Sequence, residues 1–155
     1  MSRLNISDAL GFMSQDTQFV SVGPIAGNNG GLATGGYTSL PGLNITLAPA
    51  RPSRALVHYQ ARFENSALAW YWAYSRVAAI VGTPSRQLKT GGTPASDLKS
   101  YYASTSFNQN QGWDYFEFDT PGTYQLAVQA YSASAAVLWS SAVSENYLMA
   151  LMWPK

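Results

Sequence analysis

The stretch Leu56-Val57-His58-Tyr59-Gln60-Ala61-Arg62-Phe63 alternates without a break. In an extended chain Val57, Tyr59, Ala61 and Phe63 fall on one side, and His58, Gln60 and Arg62 on the other. A period of two predicts a strand with one buried face. The same pattern recurs on both sides of it. Upstream, Leu43, Ile45 and Leu47 alternate with Asn44, Thr46 and Ala48, and Pro49 and Pro52 end the run. Downstream, Leu68 to Ile80 carries Trp70, Tyr71, Trp72, Tyr74 and Val77, an aromatic content that favours strand over helix. Trp113 to Asp119 sets Trp113, Tyr115 and Glu117 against Asp114, Phe116 and Phe118. After the tight turn Thr120-Pro121-Gly122, Tyr124, Leu126, Val128 and Ala130 alternate with Gln125, Ala127, Gln129 and Tyr131. Ala135 to Ser140 and Tyr147 to Trp153 read as the last two strands. Roughly seven or eight short strands, with no long helical period among them, predict an all-β antiparallel sandwich or barrel rather than a βαβ sheet. No internal repeat suggests a propeller or solenoid.

Ahead of these strands the texture changes. Thr17 to Ala50 holds no charged residue, and glycine-rich runs punctuate it: Gly23-Pro24, Gly27-Asn28-Asn29-Gly30-Gly31, Gly35-Gly36 and Pro41-Gly42. Phe12, Phe19, Val20, Val22, Ile25, Leu32, Tyr37 and Leu40 recur as apolar anchors, which a plain flexible linker lacks. Residues 1–42 are therefore expected to form an extended arm that packs on its own domain or on a neighbour, and residues 43–155 the sandwich. Ser7 is a candidate N-cap for a short helix at Asp8-Ala9-Leu10, stopped by Gly11.

The composition bounds the function. The chain has 155 residues, a length for one domain, and no cysteine, which removes thiol catalysis, zinc ribbons and disulfide scaffolds. Its net charge of +1 lacks the basic excess of a nucleic-acid binder. Charged residues are 11%, far below the usual value of about 25%, which excludes a coiled coil or charged bundle. The start carries no apolar run of signal-peptide length, and no stretch approaches the about 20 residues of a spanning helix. A protein made in the cytoplasm without a membrane partner is expected. Asn5-Ile6-Ser7 and Asn44-Ile45-Thr46 match the glycosylation pattern by chance on that reading. Charge is also segregated. Arg51 to Lys99 holds seven bases against two acids, and Ser100 to Pro154 four acids and no base, so the two regions are expected to pair within one fold.

Catalytic constellations are missing. There is one histidine, His58, on the polar side of its strand. There is no G-x-S-x-G elbow, and Gly27 to Gly36 lacks the lysine and following helix of a phosphate loop. Asp114, Glu117 and Asp119 are the only clustered carboxylates; Asp114 and Glu117 point to opposite faces, which makes a weak calcium site and a poor glycosidase pair. No catalytic, cofactor or metal residue is assigned, and no enzymatic activity is expected. The rich class is aromatic, 14% of the chain. Trp70-Tyr71-Trp72 must place rings on both faces of a strand, so at least one ring points away from the core. Such rings stack on sugars or anchor protein interfaces. With so few charges, burial by a neighbouring subunit or by the arm is the favoured reading.

Leu43-Asn44-Ile45-Thr46-Leu47-Ala48-Pro49, followed by Ser53-Arg54-Ala55-Leu56-Val57, resembles the opening of the small jelly rolls of bacteriophage structural proteins. Phe118-Asp119-Thr120-Pro121-Gly122-Thr123-Tyr124-Gln125-Leu126-Ala127-Val128 resembles their later hairpin. Asn146-Tyr147-Leu148-Met149-Ala150-Leu151-Met152 resembles their closing strand. The hairpin and last strand are also similar to those of C1q/TNF-like jelly rolls, which trimerise. The resemblance spans about Leu43 to Trp153, carries no catalytic residues, and implies an antiparallel jelly-roll-like sandwich with an N-terminal arm. It also implies a virion structural protein on the outer capsid surface. The expectation is a capsid decoration (cement) protein that clamps the major capsid protein, or other virion proteins, as a homotrimer. Phe12, Phe19, Val22, Ile25, Leu32, Tyr37, Trp70 and Trp72 are its expected interface residues. The alternative is a tail-fibre tip or receptor-binding head, with Tyr71, Tyr101 and Tyr102 binding host glycan. A depolymerase, a free-standing lectin and a cytokine-like module are lesser alternatives.

Overall fold

The computed structural model describes residues 17–65, 71–88, 98–102, 107–140 and 145–155, and for residues 71–72, 98–102 and 107–109 the backbone alone. Among the described residues the regular structure is all β. The strands are β1 (Gln18–Ile25), β2 (Thr38–Leu47), β3 (Ser53–Asn65), β4 (Tyr71–Val81), β5 (Arg86–Leu88), β6 (Leu98–Tyr102), β7 (Phe107–Phe118), β8 (Tyr124–Ser132), β9 (Val137–Trp139) and β10 (Asn146–Pro154). They form two antiparallel sheets packed as a sandwich. The large sheet has the order β1-β10-β3-β7-β5, with β9 also on β3; the small sheet has the order β2-β8-β4-β6. From β1 to β9 every strand lies in the sheet opposite to the strand before it. No two consecutive strands pair, so the sheets assemble from contacts distant in sequence.

Alternation places the core. Val57, Tyr59, Ala61 and Phe63 of β3 are buried, as are Leu43, Ile45 and Leu47 of β2. Phe116 and Phe118 of β7 and Tyr124, Leu126, Val128 and Ala130 of β8 close around them. For β2, β3 and β8 these are the apolar sets read from the sequence; for β7, whose two sets each hold two aromatics and one acid, the structure selects Phe116 and Phe118. Aromatic side chains interlock at one end, where Phe118 lies 4.4 Å from Tyr124 between ring centroids. A polar bridge joins the sheets in the middle. The buried Tyr59 hydroxyl lies 3.0 Å from Ser75 Oγ, and Asn110 Nδ2 donates to the same oxygen at 2.8 Å. Apolar burial of Tyr59 and Asn110 is tolerable because these polar atoms find partners across the gap.

The expected boundary at residue 42 falls inside β2, and residues 17–42 are part of the sandwich. β1 pairs with β10 from Gln18↔Met152 to Ile25↔Asn146, with an irregularity after Val22. The following segment runs beside β9: Gly27 N donates to Ser140 O at 2.9 Å and Leu32 N to Val137 O at 2.8 Å. Leu32 and Leu40 enter the core. Of the two docking sites left open for this stretch, its own domain is the one it occupies. Glycine is the reason the approach works. A Cβ on Gly27 would stand 2.3 Å from Ser140 O, and Gly23 has φ +101°. Three further strands are not read from the alternation: β1 has no clean period, β5 is three residues long, and β6 is five residues long at the edge of the small sheet. β7 begins at Phe107 rather than Trp113, because the polar run Asn108 to Gln111 pairs with β3 from Phe63 to Gln60. The candidate helix near Ser7 lies outside the described residues.

Candidate functional site

The outer face of the large sheet is where the buried-versus-exposed logic fails, and it fails over one contiguous area. In β3 the outward positions are the even ones, and they include Leu56 and His58. In β10 both faces are apolar: Leu148, Ala150 and Met152 point in, and Met149, Leu151 and Trp153 point out. Register brings these residues into rows. Phe19 stands opposite Leu151, Leu151 opposite Leu56, and Leu56 opposite Tyr115. One step along, Met149 stands opposite His58 and His58 opposite Trp113. Phe19 is 66% exposed, Trp113 52%, Leu151 38% and Leu56 36%. Exposed apolar residues are ordinary singly; neighbours in register on one flat face form a patch that favours being covered.

His58 sits in the middle of this face. Its ring stacks on Trp113 at 4.1 Å between centroids, with 25° between planes, and tilts against Tyr147 at 5.4 Å. The Tyr147 hydroxyl lies 3.3 Å from His58 Nδ1. Burial lowers the His58 pKa below its ordinary 6.5 and raises that of Tyr147. The imidazole is thus neutral at pH 7, and the centre of the face carries no charge.

Charge is confined to the two ends of the face. At one end Lys155 Nζ binds Glu117 at 2.6 Å and also Asp119, and the Tyr115 hydroxyl donates to Glu117 at 2.8 Å. The hydrogen bond from Lys155, then that from Tyr115, holds Glu117 below the usual carboxylate range; Asp119 is lowered by Lys155 and then Ser85. Bonds to Asp119 and then Glu117 raise Lys155. Arg54 and Arg86 both stand opposite Glu117 in register. At the other end Arg62 is paired with Glu145, whose carbonyl also accepts from Gln60 Nε2 at 2.9 Å. The basic region of the chain thus pairs with its acidic region inside one fold.

The small sheet carries a second aromatic group. Tyr74 and Tyr131 stack at 4.5 Å, Tyr37 meets Tyr131 edge-on at 4.6 Å, and the Arg76 guanidinium lies 3.9 Å from the Tyr37 ring centroid. Arg76 Nε also donates to Gln129 Oε1 at 3.1 Å. The rings spend much of their stacking surface on one another. An open pocket of about 360 Å3 beside Arg76 is lined by Val77, Ala79, Gly82, Pro84 and Gln87 among others. Gln87 Nε2 donates there to Val77 O at 2.9 Å and Asp114 Oδ2 at 3.3 Å. The lining holds no pair of groups suited to proton transfer. Among the described residues no three histidine or carboxylate side chains converge as metal ligands. Asp114 points into the sandwich, while Glu117 and Asp119 face outward onto Lys155. Nor is any helix among the described residues long and apolar enough to cross a membrane.

The residues singled out in the sequence are scattered by the fold. Of the expected interface set, Phe19 is at the exposed edge of the large sheet. Val22 and Ile25 pack partly buried on the protein's own core, Leu32 lies within it, and Tyr37 lies on Tyr131. Phe12 and Trp70 lie outside the described residues, as do the side chains of Trp72, Tyr71, Tyr101 and Tyr102. The backbone sets Tyr71 opposite Tyr102 and Trp72 opposite Tyr101 on neighbouring strands. Leu56, Trp113, Met149 and Leu151 are the outward residues that interface reasoning on the sequence passes over. For Met149 and Leu151 the signal was present in the two-faced apolar run Tyr147 to Trp153, which alternation alone does not divide into inside and outside. Compared with models of known families and with curated proteins, the chain matches none.

Proposed function

We propose that this chain is a structural protein of a virus particle, a capsid decoration protein that works as a homotrimer on the outer surface of a bacteriophage capsid. The observation that carries the reading is the outer face of the large sheet, with Phe19, Leu56, Trp113 and Leu151 in adjoining rows. Such a face gains free energy only when another protein covers it. The strand order supports it too. Strands that alternate between two sheets, with β2-β8-β4-β6 facing β1-β10-β3-β7, follow the jelly-roll plan from which many particle subunits are built. The uncharged segment at residues 17–42 serves the body rather than reaching away from it. Attachment to capsid neighbours therefore falls to the surface of the assembled bodies, with three sites acting together.

The test is co-sedimentation with expanded capsids of the virus that encodes the chain. Saturable binding that raises the capsid's thermal stability supports the reading; absence of binding at micromolar protein removes it. A second reading, a tail-fibre tip that binds host glycan, is favoured by one observation. β4 and β6 set Tyr71 and Trp72 opposite Tyr102 and Tyr101. A glycan array probed with the wild type and Trp72→Ala separates the two: a wild type that retains no glycan excludes the second reading.

A further inference from the structure

We infer that the outer face of the large sheet is the surface through which copies of this chain contact one another, and that His58 makes the contact acid-labile. The inference rests on the reading above that another protein covers this face, and it names the occupant: a second copy of the chain, in a two-fold contact that pairs copies and is separate from the threefold contact proposed above.

The dimensions fit such an occupant. Five strands at about 4.8 Å spacing and roughly eight residues of strand at about 3.3 Å each give a face of roughly 500–600 Å2. Covering it on two copies removes roughly 1,000–1,200 Å2 from water, enough for a weak, reversible contact and at the threshold of the about 1,200–2,000 Å2 of stable ones. The charges fit as well. One end of the face holds Arg54, Arg86 and Lys155 against Glu117 and Asp119, and is biased to base. The other end holds Arg62 against Glu64 and Glu145, and is biased to acid. Laying a second face across the first with strands reversed places each base-rich end over an acid-rich end. The uncharged centre then meets an uncharged centre. A partner of strong single-sign charge finds no match on this surface.

His58 sets the pH dependence. It packs between Trp113 of β7 and Tyr147 of β10, with Met149 opposite it and Leu56 and Gln60 flanking it on β3. The ionisable groups facing it are few. β10 contributes Tyr147, β7 contributes Tyr115 with Glu117 beyond it, and β3 contributes Arg54 and Arg62 four residues away on either side. The pairing segment of β1 contributes none. Among the described residues no carboxylate contacts the ring to stabilise a protonated form. Burial already favours the neutral imidazole, and a second copy desolvates it further. The separated chain therefore binds the proton more readily than the assembled one. Association is at full strength above the His58 pKa of the separated chain, which burial holds below the ordinary 6.5, and weakens as pH falls through it, by up to about tenfold per pH unit for each histidine covered.

Sedimentation equilibrium decides the matter, run at pH 7.5 and 5.0 on the wild type, Trp113→Glu, Phe19→Glu, His58→Gln and Thr46→Glu. The last lies on the outer face of the small sheet and serves as the control. The expected result is a wild-type multimer at pH 7.5 that dissociates at pH 5.0, and a Thr46→Glu variant that behaves the same way. Either face variant should raise the dissociation constant about a hundredfold or more, since a charge is buried without a partner. His58→Gln should assemble with little dependence on pH. A wild type that stays a single chain at all concentrations overturns the inference, as do face variants with the wild-type mass. Dissociation at pH 5.0 that persists in His58→Gln overturns the role of the histidine. Circular dichroism checks folding; if Trp113→Glu unfolds, the edge residue Phe19 decides. A mass of two chains keeps this inference and removes the trimer, whereas failure to bind capsids removes the capsid reading alone.

Discussion

Two residues show how local chemistry is settled by the surroundings. Tyr59 is an inward position in β3, and its hydroxyl needs a partner on the opposite sheet; Ser75 and, through it, Asn110 supply one. Tyr59→Phe is expected to lower the unfolding free energy by about 1–2 kcal/mol in urea titrations, the usual cost of a lost buried hydrogen bond. Phe63, fully buried in the same strand, is expected to cost about 3–5 kcal/mol as Phe63→Ala, since it leaves a cavity. Lys155 makes a prediction about pH. It holds Glu117 and Asp119 below their ordinary values, so the carboxylates stabilise the fold above the unfolded values near 4.5 and 3.8, and that contribution is lost as pH falls through the folded ones. Lys155→Gln should raise both carboxylate pKa values in a nuclear magnetic resonance titration and move the acid-unfolding midpoint to higher pH. An unchanged Glu117 titration would contradict the contact. The alternating run from Leu56 to Phe63 announced which side chains point inward. It did not announce that the outward side of His58 would lie among Trp113, Met149 and Tyr147, because those neighbours come from distant strands.

At the scale of elements, β1 is the informative strand. It is an edge strand with mixed exposure, and its attachment depends on Asn146. The Asn146 side chain donates to Ile25 O at 2.9 Å and accepts from Arg62 N at 2.7 Å, which ties β1 and β3 to β10. Asn146→Ala is expected to cost about 2–3 kcal/mol, since it strands two backbone groups in a buried place. Gly23 has a positive φ, and a Cβ there would stand 2.4 Å from Asn146 O. Gly23→Ala should therefore speed amide exchange at Val20 and Val22, with little change in the middle of β3; equal protection in both proteins would show that the edge does not depend on this glycine. The faces of β2, β3 and β8 were legible in the sequence because one face of each is apolar and the other more polar; β7 and β10 lack that contrast. β1, β5 and β6 were not legible, because edge and short strands need no such contrast. Their pairing is made by backbone groups, which carry no sequence signal.

For the whole molecule, the strict exchange of strands between sheets means that nearly every pairing waits for a distant partner. Folding is expected in milliseconds to seconds rather than microseconds, by stopped-flow Trp fluorescence. It also means that the segment before residue 43 is indispensable. Removal of residues 1–42 takes away β1, the first half of β2, Leu32 and Leu40, and should abolish cooperative unfolding in calorimetry. The amino-acid sequence by itself determined the class of fold, the inward faces of β2, β3 and β8, and the presence of one histidine and no cysteine, since period, composition and turn chemistry are local properties. Only the tertiary structure decided that the glycine-rich leader belongs to the sandwich. Only it brought Phe19, Leu151, Leu56, Met149, His58 and Trp113 onto one surface. Register between strands far apart in the chain creates that surface, and no local pattern encodes which strands will meet.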